Sequence, residues 1–299
     1  MTAHGRSKAL IAGTSHAKAC PVTTSAPVLV RDAALAYLRW GDVQAGRVAV
    51  LLHGVGGSRE SWGDALSGSG RAIAGAGVCA VAVDLPGYGH TPALARCDMA
   101  AMAQRVQALL EQLQERGAAR IALVGHSMGG MVAQELMAQQ APAAVKALVL
   151  LATSPAFGKA DGAWQRDYLA QRLAPLDAGQ GMGAIAPGLA RGMASPLAPH
   201  EAVARAAVLM GAVPEATYRS ALHALVGFDR REALARLAVP VLCIAGADDR
   251  NAPPAVMKHM AQRITQAHYH CLPGVGHLAH MEAPQQVNPL LVDFLQSTL

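Results

Sequence analysis

The stretch Ile121-Ala-Leu-Val-Gly-His-Ser-Met-Gly-Gly-Met131 decides which fold this chain can adopt. Its apolar residues 121–124 predict a buried strand, and residues 128–140 predict the helix that follows. Between them, Gly125-His126-Ser127-Met128-Gly129 must reverse the chain abruptly, which holds Ser127 in a strained conformation flanked by glycines that avoid collisions. The pattern predicts a serine hydroxyl at a strand end, beside a helix N-terminus. By itself it also fits a glycine-rich turn with a helix-capping serine.

Apolar strands that alternate with amphipathic helices extend to both sides of this stretch. One such helix carries apolar residues at a helical period from Met102 to Leu113. Because strands that are apolar throughout are buried on both faces, the pattern predicts the α/β class with a mostly parallel, doubly wound sheet. The continuous apolar runs that predict its strands are 48–53, 78–83, 145–151 and 241–245, with a shorter run at 267–272.

The alternation stops in the middle of the chain. Residues 153–236 contain no convincing strand, but helical periodicity occurs at 163–173, 200–210 and 215–226. The five glycines between 179 and 192 suggest a mobile segment that gates entry to a site. The expected organisation is a flexible N-terminal extension at 1–26, an α/β core at 27–152 and 237–299, and a helical cap at 153–236.

Composition excludes several classes of function. The net charge of +5 comes from residues spread without a basic run, and aromatic residues make up only 4% of the chain, so we expect no nucleic-acid partner. No apolar stretch is long enough to span a membrane, and no membrane partner is expected. The five cysteines form no Cys-x-x-Cys pair, and Cys79, Cys243 and Cys271 lie in apolar runs, so we expect these three to be buried free thiols in a reducing cytoplasm. We expect a monomer or a homodimer.

Polar residues follow several of the predicted strands, where the functional residues of an open parallel sheet belong. The run 48–53 continues into His53-Gly54-Val55-Gly56-Gly57, whose backbone N–H groups can face a cavity. The run 241–245 continues into Gly246-Ala-Asp-Asp-Arg250, and the run 267–272 into Pro273-Gly-Val-Gly-His277. A serine, an aspartate and a histidine therefore follow strands in that order, which indicates nucleophilic catalysis. Spacing alone leaves both Asp248 and Asp249 as candidates.

Together these segments resemble the α/β-hydrolase-fold serine hydrolases, in particular the esterase and 3-oxoadipate enol-lactonase-like group. The resemblance runs from about residue 28 to the end and includes Asp84-Leu-Pro-Gly-Tyr-Gly89 and Glu282-Ala-Pro284. It implies a helical cap and no cofactor. It also implies Ser127 as nucleophile, Asp249 rather than Asp248 as the acid, His277 rather than His280 as the base, and an oxyanion hole made by the backbone N–H groups of Val55 and Met128.

A metal site is the competing interpretation of the C-terminal histidines. His268, His270, His277, His280 and Glu282 lie close together in the sequence. No glutamate accompanies the histidine pair in a zinc-protease arrangement, so no metal is expected.

The expected activity is that of a carboxylesterase-like serine hydrolase acting on a small or medium carboxylic ester. A lactonase, a perhydrolase or haloperoxidase-like enzyme, and a slow-turnover ligand-binding protein remain open. A carbon–carbon bond hydrolase is less favoured because Leu278, not tryptophan, follows the histidine. The cap residues expected to line the substrate site are Trp164, Tyr168, Met182, Met210 and Phe228.

Overall fold

Eight strands form one sheet in the computed structural model, which describes residues 26–63, 68–140, 142–158 and 162–299. The predicted N-terminal extension, apart from its last residue, lies outside the described residues. The strands are β1 (Val28–Arg31), β2 (Ala36–Trp40), β3 (Arg47–Leu52), β4 (Cys79–Val83), β5 (Arg120–His126), β6 (Val145–Leu151), β7 (Val241–Gly246) and β8 (Ala267–Leu272).

The strands lie across the sheet in the order β1-β2-β4-β3-β5-β6-β7-β8. The pairs β1–β2 and β2–β4 are antiparallel, and every later pair is parallel. The central strands are buried along almost their whole length, as strands covered on both faces must be. The mostly parallel α/β sheet predicted from the sequence is confirmed.

Helices cover both faces of this sheet. None of the helices in the described ranges is long and apolar enough to cross a membrane. The helices are α1 (Ser69–Gly75), α2 (Met99–Glu115), α3 (Met128–Gln140), α4 (Ala163–Asp177), α5 (Met182–Met193), α6 (His200–Gly211), α7 (Glu215–Val226), α8 (Pro254–Gln262), α9 (Ala279–Glu282) and α10 (Pro284–Thr298).

The alternation of side chains along β3 shows how the two faces are filled. Val48 and Val50 belong to the core that contains the apolar residues of α2, α3 and α8. Ala49 and Leu51 belong to the core beneath α1 and α10. Successive side chains of a strand point to opposite faces, so both faces are covered by helices and the carboxyl ends of the strands remain available for a site.

The helices α4–α7, which we call the cap, connect β6 to β7. Three of them correspond to the helical patches predicted at 163–173, 200–210 and 215–226. The fourth, α5, lies where the sequence suggested a mobile glycine-rich segment. Met182, Ala186, Ala190 and Met193 are buried along one side of α5, and this apolar stripe holds the segment in a helix despite its poor propensity. Gating by this segment stays a prediction.

Candidate active site

Ser127 lies in the turn between β5 and α3, a segment (residues 125–129) that we call the elbow. Its φ of 51° is in the left-handed region, which costs a residue with a side chain about 1–3 kcal/mol. The surrounding sheet holds it there: its N–H donates to the Leu151 carbonyl at 3.0 Å, and Thr153 Oγ1 donates to the Ser127 carbonyl at 2.7 Å. The glycines are required because a Cβ at Gly125 would come 2.5 Å from the backbone of α3, and one at Gly129 would overlap the β3 carbonyls.

Two hydrogen bonds join Ser127 to a histidine and a carboxylate. His277 Nε2 lies 2.9 Å from Ser127 Oγ, and His277 Nδ1 lies 2.8 Å from Asp249 Oδ2. The other carboxylate oxygen of Asp249 accepts the backbone N–H groups of Asn251 at 2.8 Å and Ala252 at 2.9 Å. Both His277 and Asp249 are buried. Since Asp249 accepts on both oxygens, its orientation towards the imidazole is fixed.

The competing candidates lie elsewhere. Asp248 faces the cap, where its Oδ2 accepts the Ser195 hydroxyl at 2.6 Å. The buried ring of His280 lies 4.4 Å from the ring of Trp62 and 4.5 Å from that of His126, measured between centroids. The structure therefore brings Asp249 and His277, rather than Asp248 and His280, to Ser127.

His126, inside the elbow, supports the backbone of His277. Its Nε2 lies 2.8 Å from the His277 carbonyl oxygen, which can only accept, so this nitrogen carries the proton. Burial, with the neighbouring His280 and His277, lowers the pKa of His126 well below its usual value. His126 is thus a neutral donor beside the candidate base.

A second neutral histidine holds the glycine-rich loop after β3. His53 Nδ1 donates to the Gly54 carbonyl at 2.8 Å, while its Nε2 accepts the Leu85 N–H at 3.1 Å. Burial lowers the pKa of His53, in agreement with this tautomer. Since Leu85 belongs to the loop after β4, His53 ties the two loops together at the edge of the site.

The residues expected to supply the oxyanion hole lie on either side of Ser127. Met128 is buried at the first position of α3, with its N–H at the positive end of that helix. The loop of Val55 approaches from the other side, because a Cβ at Gly54 would stand 3.1 Å from Ser127 Cβ. Tyr88 donates its hydroxyl to the Val55 carbonyl at 2.9 Å, which helps to hold this loop in place.

Glu282 organises the loop that carries His277, a role the sequence analysis missed. Its buried carboxylate accepts the N–H groups of Gly276 at 2.8 Å and Leu278 at 2.9 Å, on either side of the histidine. It also accepts the Ser195 N–H of the cap at 2.9 Å. The available signal was a carboxylate five residues after His277, directly before Ala283-Pro284.

A cavity of about 860 Å³ lies between the strand ends and the cap, with Ser127 and His277 in its wall. Of the predicted cap residues, Tyr168, Met210 and the half-exposed Trp164 also line it. Met182 and Phe228 are buried and are not among the described residues that line the cavity.

The C-terminal histidines do not assemble a metal site. His268 and His270 are exposed on the edge strand β8, away from the buried His277 and His280. Within the described ranges, no three His, Cys, Asp or Glu side chains are arranged to hold a metal ion.

Comparison with known proteins places these features in a family context. A profile described as the alpha/beta hydrolase family matches residues 49–290. The chain is 30% identical over 258 residues to the biotin biosynthesis bifunctional protein BioHC of Cellvibrio japonicus; this match covers 84% of the chain but only 48% of that protein, so the chain spans about half of its length.

Two further relatives match over most of their length. The pimeloyl-[acyl-carrier protein] methyl ester esterase of Neisseria meningitidis is 28% identical over 272 residues, which cover 83% of this chain and 93% of that enzyme. The crystal structure of the protein named "putative non-heme bromoperoxidase BpoC" from Mycobacterium tuberculosis superposes with a TM-score of 0.74 at 26% identity, covering 90% of this chain and 97% of that one.

Proposed function

The chain belongs to the α/β hydrolase family, and from that premise we propose that it is a serine hydrolase that cleaves small to medium carboxylic esters. The observation that carries this proposal is the pair of hydrogen bonds from Ser127 through His277 to Asp249 at the wall of a cavity. The methyl ester esterase among the relatives supports an ester as the bond that is cleaved.

In the proposed first step Ser127 Oγ attacks the ester carbonyl. A free serine hydroxyl is a weak nucleophile at neutral pH, so His277 Nε2 accepts its proton as the new C–O bond forms. Asp249 holds the Nδ1–H of His277 and stabilises the imidazolium that results. His277 then gives the proton to the departing alcohol, which leaves an acyl group on Ser127.

The neutral state of His126 favours this step. The His126 and His277 rings lie 5.2 Å apart between centroids, so a charged His126 would repel the imidazolium on His277. Burial keeps His126 uncharged, and its N–H still anchors the His277 backbone.

The tetrahedral intermediate carries a negative oxygen that needs donors. We assign this role to the backbone N–H groups of Val55 and Met128, because their segments flank Ser127 and the helix α3 begins at Met128. One such donor is typically worth about 3–4 kcal/mol of barrier. Water, activated by the same His277, then hydrolyses the acyl-enzyme.

The proposal includes a cytoplasmic location. It rests on the four cysteines within the described ranges, which are all free. Cys79 and Cys243 are buried as expected, but the expected burial of Cys271 is wrong, because this residue is exposed on the edge strand β8. Free thiols of this kind are typical of a reducing compartment.

A substrate panel tests the reaction type. Aryl esters from acetate to octanoate should be hydrolysed faster than γ- and δ-lactones, with an optimum at short or medium acyl length. Faster opening of lactones would replace the esterase by a lactonase, and halogenation that depends on peroxide and acetate would indicate a perhydrolase. Absence of turnover for every substrate, together with tight retention of an ester analogue, would leave a binding protein.

A further inference from the structure

One part of the cavity wall is strongly cationic. Arg172 of α4 lines the cavity, and so do side chains from the loops and helix that follow β7. None of the described residues that line the cavity is aspartate or glutamate. The cationic side chains of the lining are Arg172, Arg231, Arg250 and Arg263.

Most of these arginines form no ion pair with a carboxylate of the part of the chain that the structure describes. Arg231 forms an ion pair with Asp229. Arg172, Arg250 and Arg263 form no ion pair with any carboxylate of the described residues. Arg250 and Arg263 are exposed, whereas Arg172 is only half-exposed. Arg172 is therefore the cation that loses hydration without gaining a negative partner from the described protein.

Aromatic residues hold the Arg172 guanidinium against the cavity. Its Cζ lies 5.2 Å from the centre of the Tyr168 ring, a cation–π distance. The guanidinium also lies near Tyr218. Burial raises the pKa of the Tyr218 phenol, and the positive charge of Arg172 opposes that rise. These contacts position the guanidinium without pairing it with a carboxylate of the described ranges. A planar guanidinium in this state is suited to a carboxylate, which it can bind through two parallel hydrogen bonds.

The rest of the cavity lining is mainly apolar. A substrate must therefore complement both the cationic part and the apolar part of the wall. An unbranched hydrocarbon segment suits flexible methionine and leucine side chains, while an anionic end suits Arg172. The apolar side chains concerned are Met131, Met193, Met210, Leu225, Leu234 and Met260.

We propose that the ester cleaved at Ser127 carries a carboxylate remote from the scissile bond, and that Arg172 binds this carboxylate, with Arg250 and Arg263 attracting it at the rim. The inference rests on the proposed esterase function and adds the substrate class to it. Arg172 acts as a specificity-determining residue, because it discriminates between charged and neutral substrates of the same shape.

Paired substrates test the charge preference. The 4-nitrophenyl monoester of adipic acid is compared with its methyl-capped diester, and 4-carboxyphenyl butyrate with its methyl ester, so that the carboxylate lies on the acyl or the alcohol side. We expect kcat/KM for one carboxylate substrate to exceed that of its neutral partner by about tenfold or more, since a hydrogen bond to a charged group contributes roughly that factor. The preference should weaken at high salt.

Substitution then assigns the preference to one residue. Arg172→Gln should lower kcat/KM for the preferred carboxylate substrate by about 10- to 100-fold and that for the neutral partner by less than about threefold. Arg172→Lys should recover part of the loss. Arg166→Gln, an exposed arginine of the same helix outside the cavity lining, is the matched control and should behave as the wild type.

A binding measurement separates this inference from the esterase proposal. Calorimetry with the Ser127→Ala variant and adipic acid monoanilide, which has no ester, should show binding that Arg172→Gln weakens by about tenfold or more. Such binding without turnover of any ester would refute the esterase but keep the carboxylate site. Ester turnover with equal rates for charged and neutral substrates, and binding that is indifferent to Arg172, would refute the carboxylate site alone.

Two further outcomes would also overturn it. Equal losses on charged and neutral substrates in Arg172→Gln would show that the residue only supports the cap. A larger effect of Arg236→Gln than of Arg172→Gln would place recognition on the outer basic surface, where Arg236 lies outside the cavity lining, and would indicate an acidic macromolecule instead.

Discussion

The elbow and the cap contrast most clearly in how much space surrounds their glycines. In the elbow, a single added carbon at Gly125 or Gly129 would overlap the backbone of a neighbouring element. In the cap, a Cβ at Gly179, Gly188 or Gly192 would meet no atom within 4 Å. The elbow is therefore fixed to fractions of an ångström, while the cap has room to vary. A fixed nucleophile under a variable cap lets one reaction serve different substrates.

The cap meets the core beside His277 at a small cluster that we call the joint, formed by Met193, Ser195, Asp248 and Glu282. The Met193 carbonyl accepts the His277 N–H at 2.8 Å, and Ser195 bonds both carboxylates of the joint. The candidate base is thus held from the cap as well as from the core. We therefore expect substitutions in the cap to disturb the candidate base most where they displace Met193 or Ser195.

The largest expected effect separates Asp249, the candidate acid of the active site, from Asp248 of the joint. Asp249→Asn should lower kcat about 10⁴-fold, because the amide no longer favours the productive tautomer of His277. Asp248→Asn should change kcat by less than about tenfold, since it alters only the bond to Ser195. Steady-state kinetics on one aryl ester measure both. Equal losses of kcat in the two variants would contradict the assignment of Asp249 as the acid.

Glycine substitutions probe the contrast in stability. Gly129→Ala should destabilise the fold by about 3 kcal/mol or more, because the new methyl group overlaps the Leu52 carbonyl. Gly188→Ala should stabilise it by about 0.5–1 kcal/mol, since the site is an exposed helix interior. Urea unfolding measures both changes. Similar destabilisation at the two positions would contradict the contrast.

Glu282→Gln tests the joint. The glutamine amide keeps one oxygen that can accept some of the three N–H groups. It loses the negative charge, and its NH₂ group faces the remaining N–H donors. This mismatch should displace His277. We expect kcat to fall about 100-fold with little change in KM, as for small misplacements of catalytic groups. Glu201→Gln, an exposed glutamate of α6, is the control. A change in KM alone would assign Glu282 to the substrate cavity.

The smallest effect concerns pH and the buried histidines. The folded-state pKa of His126 and that of His53 are lowered by burial, so the unfolded chain binds protons there that the folded chain does not. Stability is therefore lost as the pH falls below about 6.5, by up to about 1.4 kcal/mol per pH unit for each histidine. Urea unfolding at pH 7, 6 and 5 measures the slope.

Single substitutions test which histidine causes this dependence of stability on pH. His126→Gln should lower the number of protons taken up on unfolding by about one, and the slope falls accordingly. The glutamine amide keeps an N–H near the His277 carbonyl. His268→Gln, at an exposed position of β8, should leave the slope unchanged. An undiminished slope in His126→Gln would show that this histidine is charged in the folded protein.

The sequence could predict what depends on local pattern. The apolar strands imply a mostly parallel sheet, and the spacing around Ser127 implies a turn that only glycine neighbours permit. Because the carboxyl ends of parallel strands meet at one edge, Asp249 and His277 could be expected there despite the 150 residues between Ser127 and His277.

What escaped prediction depends on contacts between distant segments. The helix α5 forms because its four-residue apolar stripe packs against neighbours, although its glycines and Pro187 disfavour a helix. Ser195 and Glu282 meet across 87 residues without any sequence motif. Phe228 is as apolar as Met210, and only the packing of the cap decides which of them reaches the cavity.

The central claim is that Ser127 attacks the substrate with His277 as its base. A fluorophosphonate probe, followed by peptide mass spectrometry, tests it most directly. We expect a single adduct on the peptide that contains Ser127, and the loss of both the adduct and ester turnover in Ser127→Ala. Turnover that persists in Ser127→Ala, or an adduct on another serine, would contradict it.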